Sequence, residues 1–189
     1  FMESSKKRNL ANAIFLLLSL AVLAVVLAFF LHCFYSYFYP MTYSEEIKAL
    51  GNEYNIESAL IASVANAESG FDEKAVSSKG AMGVMQLMPS TAEWLSGKLG
   101  LEYSEEKLLQ GDYSLTLGAY YLSYLINIFE NRELALCAYN AGPSNVREWL
   151  EDKECSSDGK TLDKIPFAET ESYLNKVMKN YNYYSKKYS

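Results

Sequence analysis

Histidine is nearly absent from this 189-residue chain: His32 is the one instance, and no Cys or His residues group at metal-ligand spacing. Neither a metal nor a cofactor is implied. Cysteine is scarce as well, and Cys33, Cys137 and Cys155 form no disulfide framework. Cys33 borders a long apolar run, which leaves Cys137 and Cys155 as the one conceivable pair; two free thiols are the expectation over a bridge. Period-two alternation of any length is missing, so strands are not expected and the fold class reads as all-α. Positive charge is also short. The chain has 17 basic and 23 acidic residues, and beyond residue 40 the balance is 14 against 22, which makes the main domain a poor nucleic-acid binder.

What is present begins with an appendage. Half the residues are hydrophobic and about a fifth charged, a composition suited to one globular domain plus a segment of another kind. From Leu10 to Leu31, "LANAIFLLLSLAVLAVVLAFFL" runs 22 residues without a charge, about the length a helix needs to cross a bilayer core. Lys6, Lys7 and Arg8 precede it and "FYSYFYP" follows, so residues 1–9 are expected in the cytoplasm and the rest outside, with an aromatic belt at the outer interface. A cleaved signal peptide fits less well, because the run exceeds the usual apolar region and no small-x-small cleavage pattern follows. His32 stands where a lipoprotein signal would want a small residue before Cys33. Phe1 ahead of Met2 reads as a processing remnant.

Residues 32–42 form a short juxtamembrane segment, so the domain from residue 43 to 189 is expected close to the membrane. Its helices follow from apolar periodicity and punctuation. One covers Tyr43 to Tyr54 and a second Glu57 to Ser69, started by Asn55 or Ser58. A polar loop with Gly70, Gly80 and Gly83 comes next. Ser90 and Glu93 then read as a capping box, with Gly100 as the stop. A long apolar helix is expected over Leu115 to Phe129, where Gly118 marks close packing. Another runs from Glu133 toward Asn140 and Gly142, a short one starts at Ser144, and the last starts at Pro166 as its first helical residue.

A carboxylic acid that protonates a leaving oxygen near neutral pH must be kept neutral by apolar surroundings. Glu68 ends a helix whose buried side includes Val64 and Ala65, and the turn carrying Met82, Met85 and Met88 offers a dry wall. Spacing alone nevertheless favours an ordinary surface glutamate at a helix end. The motifs point the other way. "ESGFDEKAVSSKGAMGVMQLMPSTA" resembles the catalytic core of the soluble-lytic-transglycosylase-like family: Glu-Ser, Ala-x-Ser-x-x-Gly-Ala-x-Gly-Leu-Met-Gln, then Pro-x-Thr-Ala, with Val84 replacing the usual Leu. "AYNAGP" (Ala138 to Pro143) and "PFAETESY" (Pro166 to Tyr173) resemble two further motifs of that family, in its order. Ser114 and Leu115 depart from its Asn-Ile, a change expected to touch a local helix cap.

The resemblance covers roughly Tyr43 to Tyr184 and implies a lysozyme-like helical fold. It implies a lyase of the bacterial cell wall that cleaves the β-1,4 bond between N-acetylmuramic acid and N-acetylglucosamine in peptidoglycan glycan strands, leaving a 1,6-anhydromuramic end. Glu68 would be the single acid/base, with the substrate supplying the second group. Ser77 and Gln86 are similar to polar cleft residues of the family, although a turn cap and a structural hydrogen bond fit them too. Met85 and Met88 read first as packing, with Met88 able to touch a sugar face. Tyr139 and Asn140 resemble cleft-wall residues. Tyr173 would project toward Glu68, or else be a core tyrosine, and Glu169 would serve a cap or an ion pair. Asp72 and Glu73 match no catalytic position. A muramidase that uses water, and a wall-binding module without turnover, are the rival readings. The short juxtamembrane segment also suits work within a membrane complex of secretion, conjugation or division type.

Overall fold

The computed structural model describes the backbone of residues 2–188 and the side chains of residue 12 and residues 14–188. Phe1 and the side chains of Lys6, Lys7 and Arg8 lie outside the described residues. The chain divides into two compact units at Pro40 and Met41. The first is one helix, α1 (Met2–Phe38), within which Ile14–Phe38 is long and apolar enough to cross a membrane, with a mean hydropathy of 3.1. The expected juxtamembrane segment is therefore helical as far as Phe38. Neither Gly nor Pro interrupts the run before Pro40, whose ring disfavours a helical residue ahead of it. Phe34 and Phe38, one turn apart, place their ring centroids 4.5 Å from each other.

The second unit is helical, with no strand among its described residues beyond isolated bridges of Val76 with Met82 and Met82 with Leu87. Its helices are α2 (Ser44–Tyr54), α3 (Ser58–Glu68), α4 (Pro89–Leu99), α5 (Glu105–Leu108), α6 (Gly111–Phe129), α7 (Arg132–Ala141), α8 (Pro143–Glu151) and α9 (Ala168–Tyr184). Helix α3 is apolar on nearly every side and buried on nearly every side, the signature of a helix inside a domain rather than on it. Its small residues Ala59, Ala62 and Ala65 let α2, α6 and α9 pack directly against it. Leu60, Ile61 and Val64 fill the remaining core, each such side chain worth about 1.5–3 kcal/mol of burial. Cys137 and Cys155 are both buried and both free.

Local chemistry shifts several expected boundaries. Helix α4 starts at Pro89, not after a Ser90 cap: Met88 is extended with no side-chain cap bond, and proline at the first helical position needs no N–H partner. The Ser90–Glu93 capping box is thus absent. Helix α9 starts at Ala168 rather than Pro166, because Phe167 stays extended and packs edge-on against Trp149 at 5.0 Å. Asn55 does not start α3; it closes α2 in the left-handed conformation, its N–H bonded to the Gly51 carbonyl. The one-turn α5, started by the Ser104 side chain, carries no apolar repeat that a periodicity reading could detect. Gly100 does end α4, and Gly118 is a packing point: a Cβ there would stand 2.5 Å from Met85 Cγ.

Candidate active site

Glu68 is the last residue of α3, so its side chain leaves the core helix where the chain turns out. The next residue fixes that exit, since the Ser69 hydroxyl donates to the Val84 carbonyl at 2.8 Å and ties the helix end to the Met-rich turn. The turn is held by its own ladder. Ser77 N–H reaches the Ala81 carbonyl at 2.9 Å, Gly83 N–H the Ala75 carbonyl at 2.9 Å, and Met82 and Leu87 exchange bonds of 3.0 and 3.1 Å. Gln86 adopts φ 46°, a left-handed conformation rare for a side chain of its size, stabilised by its own amide. Its Nε2 donates to the carbonyls of Ala75 and Gly83, both at 3.0 Å.

Two helices grip the same turn from the far side. The buried Ser114 hydroxyl on α6 accepts the Met85 N–H at 3.1 Å, and the Tyr139 hydroxyl on α7 donates to the Met85 carbonyl at 2.9 Å. Ser114 is therefore no local helix cap; it anchors the backbone that faces Glu68. The two methionines separate cleanly, Met85 fully buried under Gly118 and Met88 42% exposed at the cleft.

A cleft of about 420 Å³ opens over this arrangement, and its wall includes Glu68, Ser77, Gln86, Met88, Tyr139 and Asn140. Six of the seven residues singled out from the sequence thus meet on one surface. The seventh, Tyr173, is buried beneath it on α9 and faces Glu68. The Ser77 hydroxyl accepts the Ala81 N–H at 2.9 Å, so the turn-capping role is real and coexists with its place in the wall. Asn140 is fixed by the Thr170 hydroxyl, which donates to its Oδ1 at 2.8 Å.

Burial pushes the Glu68 carboxyl up to about 7, opposed by the Tyr173 hydroxyl and the Lys176 ammonium. The Tyr173 hydroxyl lies close enough to Glu68 to lower that pKa, and it finds no other partner among the described residues. Its own pKa, like that of Tyr139, is raised well above the usual value by burial and by the Glu68 charge. Lys176 donates to the carbonyl of Ala67, the residue before Glu68, which holds its cation beside the acid. The other carboxylate in the wall, Glu169, is exposed and paired with Lys79 at 2.9 Å, the expected ion pair, worth well under about 1 kcal/mol. Asp72 caps its own turn and Glu73 accepts from the Tyr43 hydroxyl; neither lines the cleft.

Sequence reasoning missed Tyr121, Thr91, Ser78 and Lys79 in the wall. Tyr121 sits on the apolar stripe of α6 and reads as core; its polar tip at the stripe edge was the available signal. No group of three or more His, Cys, Asp or Glu able to hold a metal occurs among the described residues.

Residues 45–161 match the family model described as the transglycosylase SLT domain. The chain belongs to this family. The soluble lytic murein transglycosylase of Escherichia coli K12 is 33% identical over 150 residues, covering 77% of this chain and 23% of that protein. The membrane-bound lytic murein transglycosylase C of Pectobacterium atrosepticum is 32% identical over 162 residues, covering 71% of this chain and 45% of that protein. Among solved structures, an inactive Glu-to-Gln mutant of lytic transglycosylase Slt from Pseudomonas aeruginosa superposes with a TM-score of 0.70 at 35% identity, over 79% of this chain and 25% of that one. The SLT-family chain described here spans about a quarter of the length of the soluble relatives it matches. Its SLT domain has their lysozyme-like helical fold.

Proposed function

We propose that this chain is a membrane-anchored peptidoglycan lytic transglycosylase in which Glu68 acts alone as acid and base. The observation that carries this reading is a cleft with one enclosed carboxyl, near neutrality in its pKa; among the described residues the wall's other carboxylate, Glu169, is exposed and held by Lys79. Ordinary glycosidases need two, one as acid and one as nucleophile or base. Here protonated Glu68 gives its proton to the glycosidic oxygen as the bond from muramic C1 breaks, with the substrate acetamido group supporting C1. The resulting carboxylate then takes the proton of the muramic C6 hydroxyl as O6 bonds to C1. The 1,6-anhydro ring closes, Glu68 is protonated again and no water is consumed. A pKa near 7 suits a group that must both give and take a proton.

Gln86, Ser77, Asn140 and Met88 would contact the sugars, the first three through polar atoms and Met88 as an apolar ledge. Tyr173 would donate to the Glu68 carboxylate or to the acetamido oxygen. The relatives named lytic murein transglycosylases support the reaction, and the inactivity of the Glu-to-Gln mutant of the similar Pseudomonas enzyme supports an essential glutamate. Ile14–Phe38 supports an anchor, in which residues 10–31 span, residues 1–9 face the cytoplasm, 32–42 follow at the outer interface, and the catalytic domain of residues 43–189 is extracytoplasmic.

Mass analysis of muropeptides released by the detergent-solubilised chain tests the reaction. Anhydro-ended fragments are expected, each lighter by one water than a muramidase product. Hydrated ends would replace this reading with hydrolysis, and no release would leave a wall-binding module.

The alkaline limb of activity offers a second check. Activity requires protonated Glu68, so it should fall as pH rises through about 7. Removing the nearby cation in Lys176→Met should move that limb to higher pH by about 0.2–0.7 unit, the equivalent of the ~0.2–1 kcal/mol of an exposed pair. A limb that stays in place would show that Lys176 does not act on the acid.

A further inference from the structure

The cleft wall continues past Glu68 as a run of aromatic rings. Tyr139, at the floor, packs against Tyr121 with centroids 5.3 Å apart. Tyr121 lies nearly parallel to Tyr124, one turn along α6, at 6.5 Å and 18°. Trp94 of α4 meets both rings edge-on, at 6.4 Å from Tyr121 and 5.2 Å from Tyr124. Tyr121 and Tyr139 line the cleft, whereas Trp94 and Tyr124 reach the surface at 39% and 36% exposure. Four rings thus lead from beside the acid to the outside of the domain.

Packing against each other and Tyr121 still leaves Trp94 and Tyr124 partly uncovered. Helix α4 buries Ala92, Leu95 and Ser96, and Trp94 stands off that face. Beside it a shallow depression is lined by Ser90, Glu93, Trp94, Gly97 and Lys98. Gly97 lies inside the helix, where glycine weakens the backbone, yet an added Cβ would meet nothing within 4 Å. Neither close packing nor a left-handed backbone requires it. What the missing side chain does is keep the ground next to Trp94 open.

We propose that Trp94 and Tyr124 form an outer saccharide subsite for the glycan strand that enters the cleft. The apolar C–H face of a pyranose ring lies against Trp94, with Gly97 leaving room for it, while Ser90, Glu93 and Lys98 bond hydroxyl or acetamido groups at the rim. The subsite rests on the reading of the cleft as a glycan site. It adds a requirement that the catalytic centre does not impose: strands long enough to span from Glu68 to Trp94 bind better than short ones.

The test uses the full chain in detergent carrying Glu68→Gln, so that bound sugar is not turned over, titrated calorimetrically with N-acetylglucosamine trimer and hexamer. The hexamer is expected to bind about tenfold tighter than the trimer. Adding Trp94→Ala should reduce that ratio to about two or less, and Trp94→Phe, which keeps a ring, should restore most of it. Trp94 emission should also change with hexamer, since the other tryptophan, Trp149, is buried against Phe167. A ratio untouched by Trp94→Ala, with both oligomers still binding, overturns the subsite and leaves the glycan cleft standing. Loss confined to ligands bearing peptide stems overturns it in favour of a stem contact. If neither oligomer binds and wild type releases no muropeptides, the reading of the cleft itself fails.

Discussion

Glu68→Gln is expected to reduce muropeptide release by on the order of 10²–10⁴-fold while leaving the fold intact and, at alkaline pH, more stable. The amide fills the same space but cannot deliver a proton to the glycosidic oxygen. Stability follows from the same burial that serves the chemistry. In the folded chain the carboxyl titrates at about 7, against an ordinary value of 4.5. Between those two pH values the native state holds more protons than the unfolded state, so stability falls as pH rises through the window and stays reduced above it. The full interval corresponds to at most about 3 kcal/mol, and roughly 1–3 for a half-buried group. Gln removes this penalty. Thermal melts at pH 8.5 should therefore place the variant roughly 3–8 °C above wild type, with no difference at pH 4. Equal turnover in the two proteins, or the same melting difference at both pH values, would mean that Glu68 is not the enclosed acid.

The pairing of lost activity with gained stability also tells what was legible before the structure. The acid, the turn and the two later motifs are short patterns whose residues sit within a few positions of each other, so sequence exposes them directly. The apolar run ahead of Glu68 predicts a helix with one buried side, and α3 exceeds that by being buried on nearly every side. What sequence hides is the force that aims the turn. Ser114 looks like a helix-start substitution because its partner, the Met85 N–H, is 29 positions away. Likewise a periodicity reading cannot tell Tyr121 from a core residue, since it is nearly buried and still lines the cleft. Helix α6 also starts earlier than the apolar run, at Gly111 rather than Leu115, and two other misplaced starts share a cause: near Pro89 and Pro166, backbone restriction and the packing of Phe167 decide the boundary, and neither is written in a capping pattern. Tyr173 illustrates the middle case. Its approach to Glu68 was expected from the motif, but not that its enclosed hydroxyl finds no other partner among the described residues.

The second large effect is structural and falls on the same turn. Gly83 has φ +75°, and a Cβ added there would stand 2.0 Å from the Leu108 carbonyl oxygen and 2.9 Å from Ser114 Oγ. The first neighbour is backbone and cannot swing aside; the second is the hydroxyl that holds Met85. Gly83→Ala therefore combines the left-handed penalty of about 1–2 kcal/mol with overpacking of about 1–3 kcal/mol. For a domain of this size a loss of about 3 kcal/mol lowers the melting temperature by roughly 6–12 °C. Gly80→Ala is the matched control, because Gly80 has φ +86° but nothing within 4 Å of its added Cβ. It pays the conformational cost alone, about 1 kcal/mol and roughly 2–4 °C. The excess loss in Gly83→Ala measures how tightly the turn is pressed onto α5 and α6. Activity should fall with it even below the melting transition, since displacing Ser114 releases the backbone that carries Gln86 and the dry wall opposite Glu68. If the two alanine variants melt alike, the close approach at Leu108 does not hold the turn, and the positioning of Gln86 must come from its own amide bonds to Ala75 and Gly83.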